Sequence, residues 1–311
     1  MRTPARSQAS DQVHRKARTL TILAACCLLC QGLSAQTPDD AISLRQIYQS
    51  LIPRLDHNPF QRRLYLDSQE SPSTVKGEIY AVMDYPFATV NDALNDPSQG
   101  PVNWCDVLIL HPNIKYCHAS ADSSGNTLTV NISKKEVAEE LGATYRVRFD
   151  YHAATTSPGY FQVKLHADSG PLNTRDYQIV LEAVSLSGDR TFLHLTYAYS
   201  YGVIGGLAMK GYLATFGRGK VGFTNIADSS AAQAEYVGGV RGLVERNTMR
   251  YYLAIDAYLG ALSSLPDRRL EQRLSNWFSA SEQYPRQLHE IDRQQYMQMK
   301  QEEYRRQQTK Q

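Results

Sequence analysis

The strongest candidates for chemistry in this chain are charged residues grouped in one otherwise apolar segment. Arg241 and Glu245 are spaced i,i+4, which is the spacing of an ion pair on the exposed face of a helix. Arg246 and Arg250 are also one helical turn apart, but like charges at this spacing repel each other. Each of these two arginines therefore needs an acceptor, from the protein or from a ligand.

A glycine-rich segment, Gly217–Gly222, matches the pattern G-x-G-x-x-G of dinucleotide-binding loops. Such loops work inside a βαβ unit, where the phosphates meet a helix N-terminus. Here the segment follows a predicted helix and the strands before it are antiparallel, so we interpret it as a structural loop. The patterns G-x-S-x-G, H-E-x-x-H, the P-loop and the EF-hand do not occur in the sequence.

Histidine and cysteine give no metal or redox pattern. His111 and His118 lack the spacing of metal ligands, and neither Cys105 nor Cys117 belongs to a C-x-x-C pair. The other three of the five cysteines lie within residues 1–35, which are interpreted below as a signal peptide. Two cysteines that remain in an exported protein favour a disulfide in an oxidising compartment. We predict a Cys105–Cys117 bond, which would contribute on the order of 3 kcal/mol for so short a loop. The alternative is two buried free thiols.

Residues 1–35 have the features of a secretory signal peptide. Met1–Arg18 is polar and basic, Leu20–Leu33 is a short apolar run, and small residues end at Ala35. The run is shorter than the roughly 20 residues that span a bilayer. We predict cleavage after Ala35 and export to the periplasm. Two alternatives stay open, namely an uncleaved N-terminal membrane anchor and a lipoprotein attached through Cys26.

The overall composition is that of an ordinary globular protein. Of 311 residues, 42% are hydrophobic and 21% charged, and the formal net charge is +2. Nucleic-acid binding requires a basic face, so we expect no nucleic-acid partner. The chain has 20 Tyr against 8 Phe and 2 Trp. Because Tyr joins an apolar body to a polar tip, this excess suits the walls of a pocket as well as a core.

Alternation of apolar and polar residues predicts an antiparallel sheet in the middle of the chain. The predicted strands are Val75–Met83, Ile114–Ala119, Thr127–Ser133, Tyr145–His152, Tyr160–Ala167, Thr174–Val184 and Arg190–Tyr201. One apolar and one polar face per strand is typical of a sheet covered on a single side. This pattern puts His194 on the solvent side, opposite the row that contains Leu195, Tyr197 and Tyr199.

Helical spacing predicts the elements that cover the sheet. The predicted helices are Asp40–Leu55, Phe87–Leu94, Val102–Leu110, Gly205–Thr215 and the long helix Gln233–Leu262. Beyond Pro266 the chain is polar and of mixed charge, which is typical of a solvated or packing appendage. We therefore divide the chain into a signal peptide (1–35), an N-terminal helical lead-in (36–74), a main domain (75–263) and a polar helical tail (264–311).

The order of these elements resembles the helix-grip fold of START-like proteins, also called the SRPBCC superfamily. The segment Val75–Cys117, with Trp104 in its second helix, is similar to the opening of those domains, and the resemblance extends to about Leu262. It implies an α+β fold in which a seven-stranded antiparallel sheet wraps around the long C-terminal helix. The apolar segment before that helix and the tail after it depart from the usual pattern.

The resemblance also implies a cavity for a hydrophobic small molecule or lipid between the sheet and the long helix. The residues expected around the ligand are Val147, Phe149, Val163, Leu165, Ile179, Leu181, Leu195, Tyr197, Tyr199, Arg246, Asn247 and Arg250. One inward arginine would bind the polar head of the ligand or polarise a carbonyl group. Gly217–Gly222 would then form a gate over the cavity mouth.

Three functions are compatible with these expectations. The leading hypothesis is an exported, periplasmic binding protein for a hydrophobic molecule, because no acid–base or nucleophile motif is recognisable and no catalytic residue, metal or cofactor is assigned. The second is a cyclase- or dehydratase-like enzyme acting in the same cavity. The third is a structural envelope protein whose tail contacts another protein or the membrane surface.

Overall fold

A computed structural model describes residues 39–123, 125–215, 217–227 and 234–309 of the protein. The predicted signal peptide, its cleavage site at Ala35 and the lipoprotein cysteine Cys26 lie outside the described residues. Export therefore stays a prediction.

Antiparallel strands form a single sheet, and the alternating burial of their side chains follows the alternation in the sequence. The strands are β1 Leu64–Glu70, β2 Thr74–Met83, β3 Ile114–Asp122, β4 Gly125–Ile132, β5 Tyr145–Ser157, β6 Tyr160–Ser169, β7 Thr174–Leu186 and β8 Arg190–Tyr201. Their order in the sheet is β1-β2-β8-β7-β6-β5-β4-β3. The α+β prediction is confirmed.

The predicted number of strands was wrong, because the sheet has eight strands rather than seven. The additional strand is β1, which the sequence analysis placed inside the lead-in segment. It pairs with β2 in a register that sets Leu66 opposite Ile79. Only Leu64 and Leu66 mark its buried face, since the strand continues into the polar residues Asp67–Glu70. So short an apolar alternation was not distinguishable from a polar linker.

Eight helices occur in the described ranges. They are α1 Asp39–Asp56, α2 Phe87–Leu94, α3 Gly100–Leu108, α4 Val203–Thr215, α5 Gly239–Gly260, α6 Arg269–Ser281, α7 Pro285–Leu288 and α8 Arg293–Thr309. None of them combines the length and apolar character needed to cross a bilayer. The long helix α5 packs closely on β2 at Gly77, where a Cβ atom would clash with the hydroxyl of Thr248.

The outer face of the sheet is not simply solvated, which corrects the expectation of a sheet covered on one side. Helix α1 packs over strands β1, β2 and β7. A second apolar cluster lies on this face and includes the buried residues Val82, Tyr160, Val184 and Phe192. The first helix therefore belongs to the folded structure, and its apolar side is buried against the sheet.

His194 lies on this covered face and is not solvent-facing as predicted. Its side chain is 12% exposed, and its ring nitrogens lie 3.0 Å from Glu182 and 3.1 Å from Glu78. The ring of Tyr80 stacks on it at 4.2 Å. Burial lowers the pKa of His194, but the hydrogen bonds that its ring donates to the two carboxylates outweigh burial and raise the pKa overall.

The predicted disulfide is confirmed. Cys105 of α3 is bonded to Cys117 of β3, with a Cα–Cα distance of 5.2 Å. This distance lies within the usual range of Cα–Cα distances for disulfides. The bond ties α3 to the strand at one edge of the sheet.

The C-terminal helices share the core of the sheet and α5. Trp277 of α6 donates its indole N–H to the carbonyl of Arg250 at 3.2 Å and stacks on Tyr296 of α8 at 4.9 Å. The ammonium of Lys300, fully buried in α8, donates to the carbonyl oxygens of His111 and Ile114, both at 2.7 Å. These contacts hold the loop between α3 and β3 from the far end of the chain.

Candidate functional site

A cavity of about 90 Å³ lies between the inner face of the sheet, α4, α5 and the loop that joins α3 to β3. Its wall includes Tyr177 of β7, Tyr197 of β8, Tyr212 of α4, Leu243, Asn247, Arg250 and Tyr251 of α5, and His111 of the loop. Residues after β4 and before β7, among them Lys134 and Leu172, also contribute to the lining. One side of this wall is aromatic and the other is polar. An apolar body with a polar end would match both sides.

The aromatic side is a packed group of tyrosines. The Tyr177 ring lies 5.9 Å from Tyr197 and 4.9 Å from Tyr199, and the Tyr197 ring lies 5.3 Å from Tyr251. Burial raises the pKa of Tyr177 and Tyr197 above their usual values, so both phenols keep their protons. A neutral phenol offers a hydrogen-bond donor beside an apolar ring.

His111 forms the first part of the polar side, and its tautomer follows from its neighbours. Nδ1 accepts the backbone N–H of Asn113 at 3.1 Å, which leaves the proton on Nε2. Nε2 then donates to Oδ1, the side-chain amide oxygen of Asn247, at 3.4 Å. Burial lowers the pKa of His111 well below its usual value, and the positive charge of Arg250 lowers it further. The ring is therefore a neutral group with both nitrogens engaged.

Arg250 and Glu290 connect this polar wall to the tail. Arg250 donates from Nη1 to Oδ1 of the Asn247 side chain at 3.4 Å and from Nη2 to Glu290. Lys220 also donates to Glu290 and, at 3.2 Å, to Glu136. Burial raises the pKa of Glu290, but Arg250 and Lys220 outweigh burial and hold the pKa below its usual value. Glu290 is thus a carboxylate shared by two cations.

Arg246 lies next to this group, one turn of α5 before Arg250. It is 1% exposed, and its Nε and Nη1 find no hydrogen-bond acceptor within the described part of the chain. Burial lowers the pKa of Arg246 to about 10, with a further contribution from the charge of Arg250. Tyr212 and Glu290 also interact with it electrostatically.

The structure brings three of the predicted ligand residues to the cavity wall, namely Tyr197, Asn247 and Arg250. Arg246 and Tyr199 are buried but do not border the cavity. Arg246 lies one turn of α5 before Arg250, and the Tyr199 ring lies 4.9 Å from that of Tyr177. The apolar members of the predicted set are buried as expected, but they fill the core and do not border the cavity. They are Val147, Phe149, Val163, Leu165, Ile179, Leu181 and Leu195. Their role as ligand contacts stays a prediction.

The expected surface pair of Arg241 and Glu245 was placed wrongly. Glu245 is fully buried, and Arg241 Nε lies 3.8 Å from it. The Glu245 carboxylate instead accepts hydrogen bonds from the backbone N–H groups of Phe223 and Thr224 at 2.5 and 2.9 Å. The i,i+4 spacing could not show which side of α5 faces the glycine-rich connection. Glu245 anchors that connection, in which Gly222 packs against the carboxylate.

Several wall residues were missed by sequence reasoning. Tyr177 continues the alternation of Ile179 and Leu181, and Tyr251 lies one turn after Asn247, so a signal existed for both. The excess of tyrosine was a third indication. His111 had no such signal, because it lies in a loop whose position depends on α8.

Antiparallel strands packed on a long helix near the C-terminus define the architecture of this chain. This arrangement is a helix-grip fold. Three solved structures are similar to parts of this chain. A START superfamily protein from Mycobacterium smegmatis has 15% identity and a TM-score of 0.29, over 46% of this chain and 88% of that one.

Ara h 8.0201 has 11% identity and a TM-score of 0.34, over 64% of this chain and 99% of that one. Human StAR-related lipid transfer protein 5 has 7% identity and a TM-score of 0.31, over 79% and 98% of the two chains. No protein-family model matches the chain. No curated protein matches its sequence. The function proposed below therefore depends on the geometry of this chain's own site.

Proposed function

We propose that this protein binds a hydrophobic small molecule or lipid in the cavity between the sheet, α4 and α5, and that it acts after export to the periplasm. The observation that carries the proposal is the two-sided wall described above. Tyrosine rings supply apolar contact area, while His111, Asn247 and Arg250 supply polar groups that orient a ligand.

Opening of α4 is part of the proposal, because the cavity volume equals that of about three water molecules in the liquid. Val203, Ile204 and Leu207 of α4 are 83%, 69% and 65% exposed. Only Gly205 and Met209 are buried among the residues of this helix. A helix that buries so little apolar surface opens at low free-energy cost, so a larger ligand enters by displacing α4 from the tyrosine wall.

Binding is favoured over the cyclase- or dehydratase-like alternative by the state of His111. A general base needs a free acceptor nitrogen within reach of the substrate. In His111, Nδ1 is occupied by the Asn113 N–H and Nε2 carries the proton. The buried tyrosines are held in their protonated form, which suits hydrogen-bond donation rather than proton removal.

A neutral apolar fluorophore, N-phenyl-1-naphthylamine, tests this proposal. Leu243→Trp fills the cavity from α5, and Leu265→Trp makes the same change at a residue that is 65% exposed and away from the cavity wall. We expect saturable binding by the wild type and Leu265→Trp, and at least tenfold weaker binding by Leu243→Trp. Equal affinity of all three folded proteins would contradict the proposal. Solvent extraction and mass spectrometry of periplasmic protein would then identify the natural ligand.

The export part of the proposal has its own test. N-terminal sequencing of protein recovered from the periplasm should begin at Gln36. Retention of Met1 would favour the membrane anchor, and a lipid on Cys26 would favour the lipoprotein.

A further inference from the structure

Arg246 is a buried cation whose hydrogen-bonding capacity is only partly used. Its Nε and Nη1 are shielded from solvent and meet no acceptor among the described residues. Arg250 and Arg273 also leave Nε without an acceptor, but each donates to a carboxylate, Arg250 to Glu290 and Arg273 to Asp106 at 2.7 Å. Burying a charged donor without an acceptor is costly, so such a group is retained where something else supplies the acceptor.

The neighbouring carboxylates do not supply it. Glu290 and Glu136 act on Arg246 electrostatically, but Glu290 already accepts hydrogen bonds from Arg250 and Lys220. Glu136 is engaged by Lys220. Within the described ranges, the three cations Arg246, Arg250 and Lys220 therefore face the two carboxylates Glu290 and Glu136, which leaves one positive charge in excess.

The position of Arg246 connects this charge to the cavity. Arg250 and Tyr212 both border the cavity, and both interact electrostatically with Arg246. Arg246 also lies three residues after Leu243 and four before Arg250, so it shares the face of α5 on which these two residues border the cavity. A rotation of the Tyr212 side chain, or the opening of α4 that carries it, would expose the unpartnered guanidinium to the ligand.

We propose that Arg246 is the receptor for the oxyanion head, carboxylate or phosphate, of an amphipathic ligand whose apolar part lies against the tyrosine wall. This inference rests on the proposed function and specifies its ligand class. Arginine suits this task because its guanidinium is planar, always charged near neutral pH and weakly hydrated. The bound oxyanion would also neutralise the surplus charge of the cluster.

Octanoate, 1-octanol and inorganic phosphate separate the contributions of head and chain. We expect isothermal titration of the full protein to show octanoate binding at least tenfold tighter than octanol. Arg246→Met should abolish this preference and leave octanol affinity unchanged, whereas Arg246→Lys should retain part of it. Arg241→Met, the same change elsewhere on α5, should behave as the wild type.

The outcomes distinguish this inference from the proposed function. Equal affinities for octanoate and octanol, or an unaltered preference in Arg246→Met, would overturn the inference and leave apolar binding intact. If only phosphate bound, and this binding were lost in Arg246→Met, the site would be one for a free oxyanion, and the inference of an amphipathic ligand would be overturned. Binding of none of the three probes would overturn both.

Thermal unfolding supplies a second readout that a merely structural arginine would not give. Without Arg246, the remaining Arg250 and Lys220 balance Glu290 and Glu136. The ligand-free Arg246→Met protein should therefore melt at or above the wild-type temperature while losing octanoate selectivity. A large fall in melting temperature would show that Arg246 supports the fold and would overturn its assignment as a receptor.

Discussion

The Glu245 carboxylate accepts both the backbone N–H and the hydroxyl of Thr224, at 2.9 and 2.6 Å. It thereby joins the long helix α5 to the connection that follows α4. A neutral side chain of the same shape cannot accept as many of these hydrogen bonds.

Glu245→Gln should therefore destabilise the protein by about 2 kcal/mol or more, because charge-assisted hydrogen bonds contribute roughly 1.5–3 kcal/mol each. Urea unfolding measures the loss, and Glu235→Gln, a change at an exposed glutamate of the same region, serves as the control. Equal unfolding midpoints for the two variants would argue against an anchoring role.

The disulfide should contribute measurably to stability. We expect the Cys105→Ala/Cys117→Ala double variant to lose roughly 2–4 kcal/mol in the free energy of unfolding, since a loop of 12 residues is released. Reductant should lower the stability of the wild type towards that of the variant and leave the variant unchanged. Alkylation of both cysteines in non-reduced wild type would contradict the bond.

The pair of carboxylates around His194 predicts a pH dependence of stability. Because the pKa of His194 is raised, its protonated form stabilises the fold. This contribution is complete at pH values below the unfolded-state pKa of about 6.5. This contribution is lost as the pH rises through the folded-state pKa. Burial raises the pKa of Glu78, but hydrogen bonds from His194 and Lys76 outweigh it and hold the pKa at about 2, so Glu78 stays ionised.

Unfolding measured between pH 6 and pH 9 tests this sign. The stability advantage of the wild type over His194→Gln should shrink as the pH rises, whereas His152→Gln, at an exposed histidine, should follow the wild type. An advantage that grows with pH would show that His194 is neutral in the folded protein.

Lys300 should be essential for the loop that carries His111. Lys300→Met removes the ammonium that donates to the carbonyl oxygens of His111 and Ile114. It also removes the 2.7 Å ion-pair partner of Glu303, whose other carboxylate oxygen lies 3.3 Å from Lys115. Loss of one partner from a buried ion pair costs about 3–5 kcal/mol. We expect a lower melting temperature and weaker binding of the apolar fluorophore. Arg305→Met, at an exposed position of the same helix, is the control, and a variant indistinguishable from it would refute the prediction.

The strands were predictable from sequence because their register repeats along several neighbours. Val163, Leu181 and Leu195 lie side by side on adjacent strands, and each was already marked as inward by its own alternation. The cover of the outer face was not predictable in this way. Tyr80 and Phe192 alternate with inward residues and resemble isolated surface aromatics until α1 packs over them.

The site was only partly predictable for a related reason. Asn247 and Arg250 followed from the position of the long helix, and Tyr197 from its strand. The need of Arg246 for an acceptor was recognised. That Glu290 is already occupied by other donors, one of them Lys220, could not be recognised, because Glu290 and Lys220 both lie in loops. Loop positions depend on packing between distant segments, which a local pattern in the sequence does not encode.

The bond between Lys300 and the carbonyl of His111 spans 189 residues. During synthesis, and during any passage through a secretion channel, the β-strands emerge long before α8. An incomplete chain can therefore assemble the sheet while the loop at His111 still lacks its C-terminal support. Under the proposed function, ligand capture would be coupled to completion of the polypeptide, and a truncated or partly exported chain would not trap a ligand prematurely.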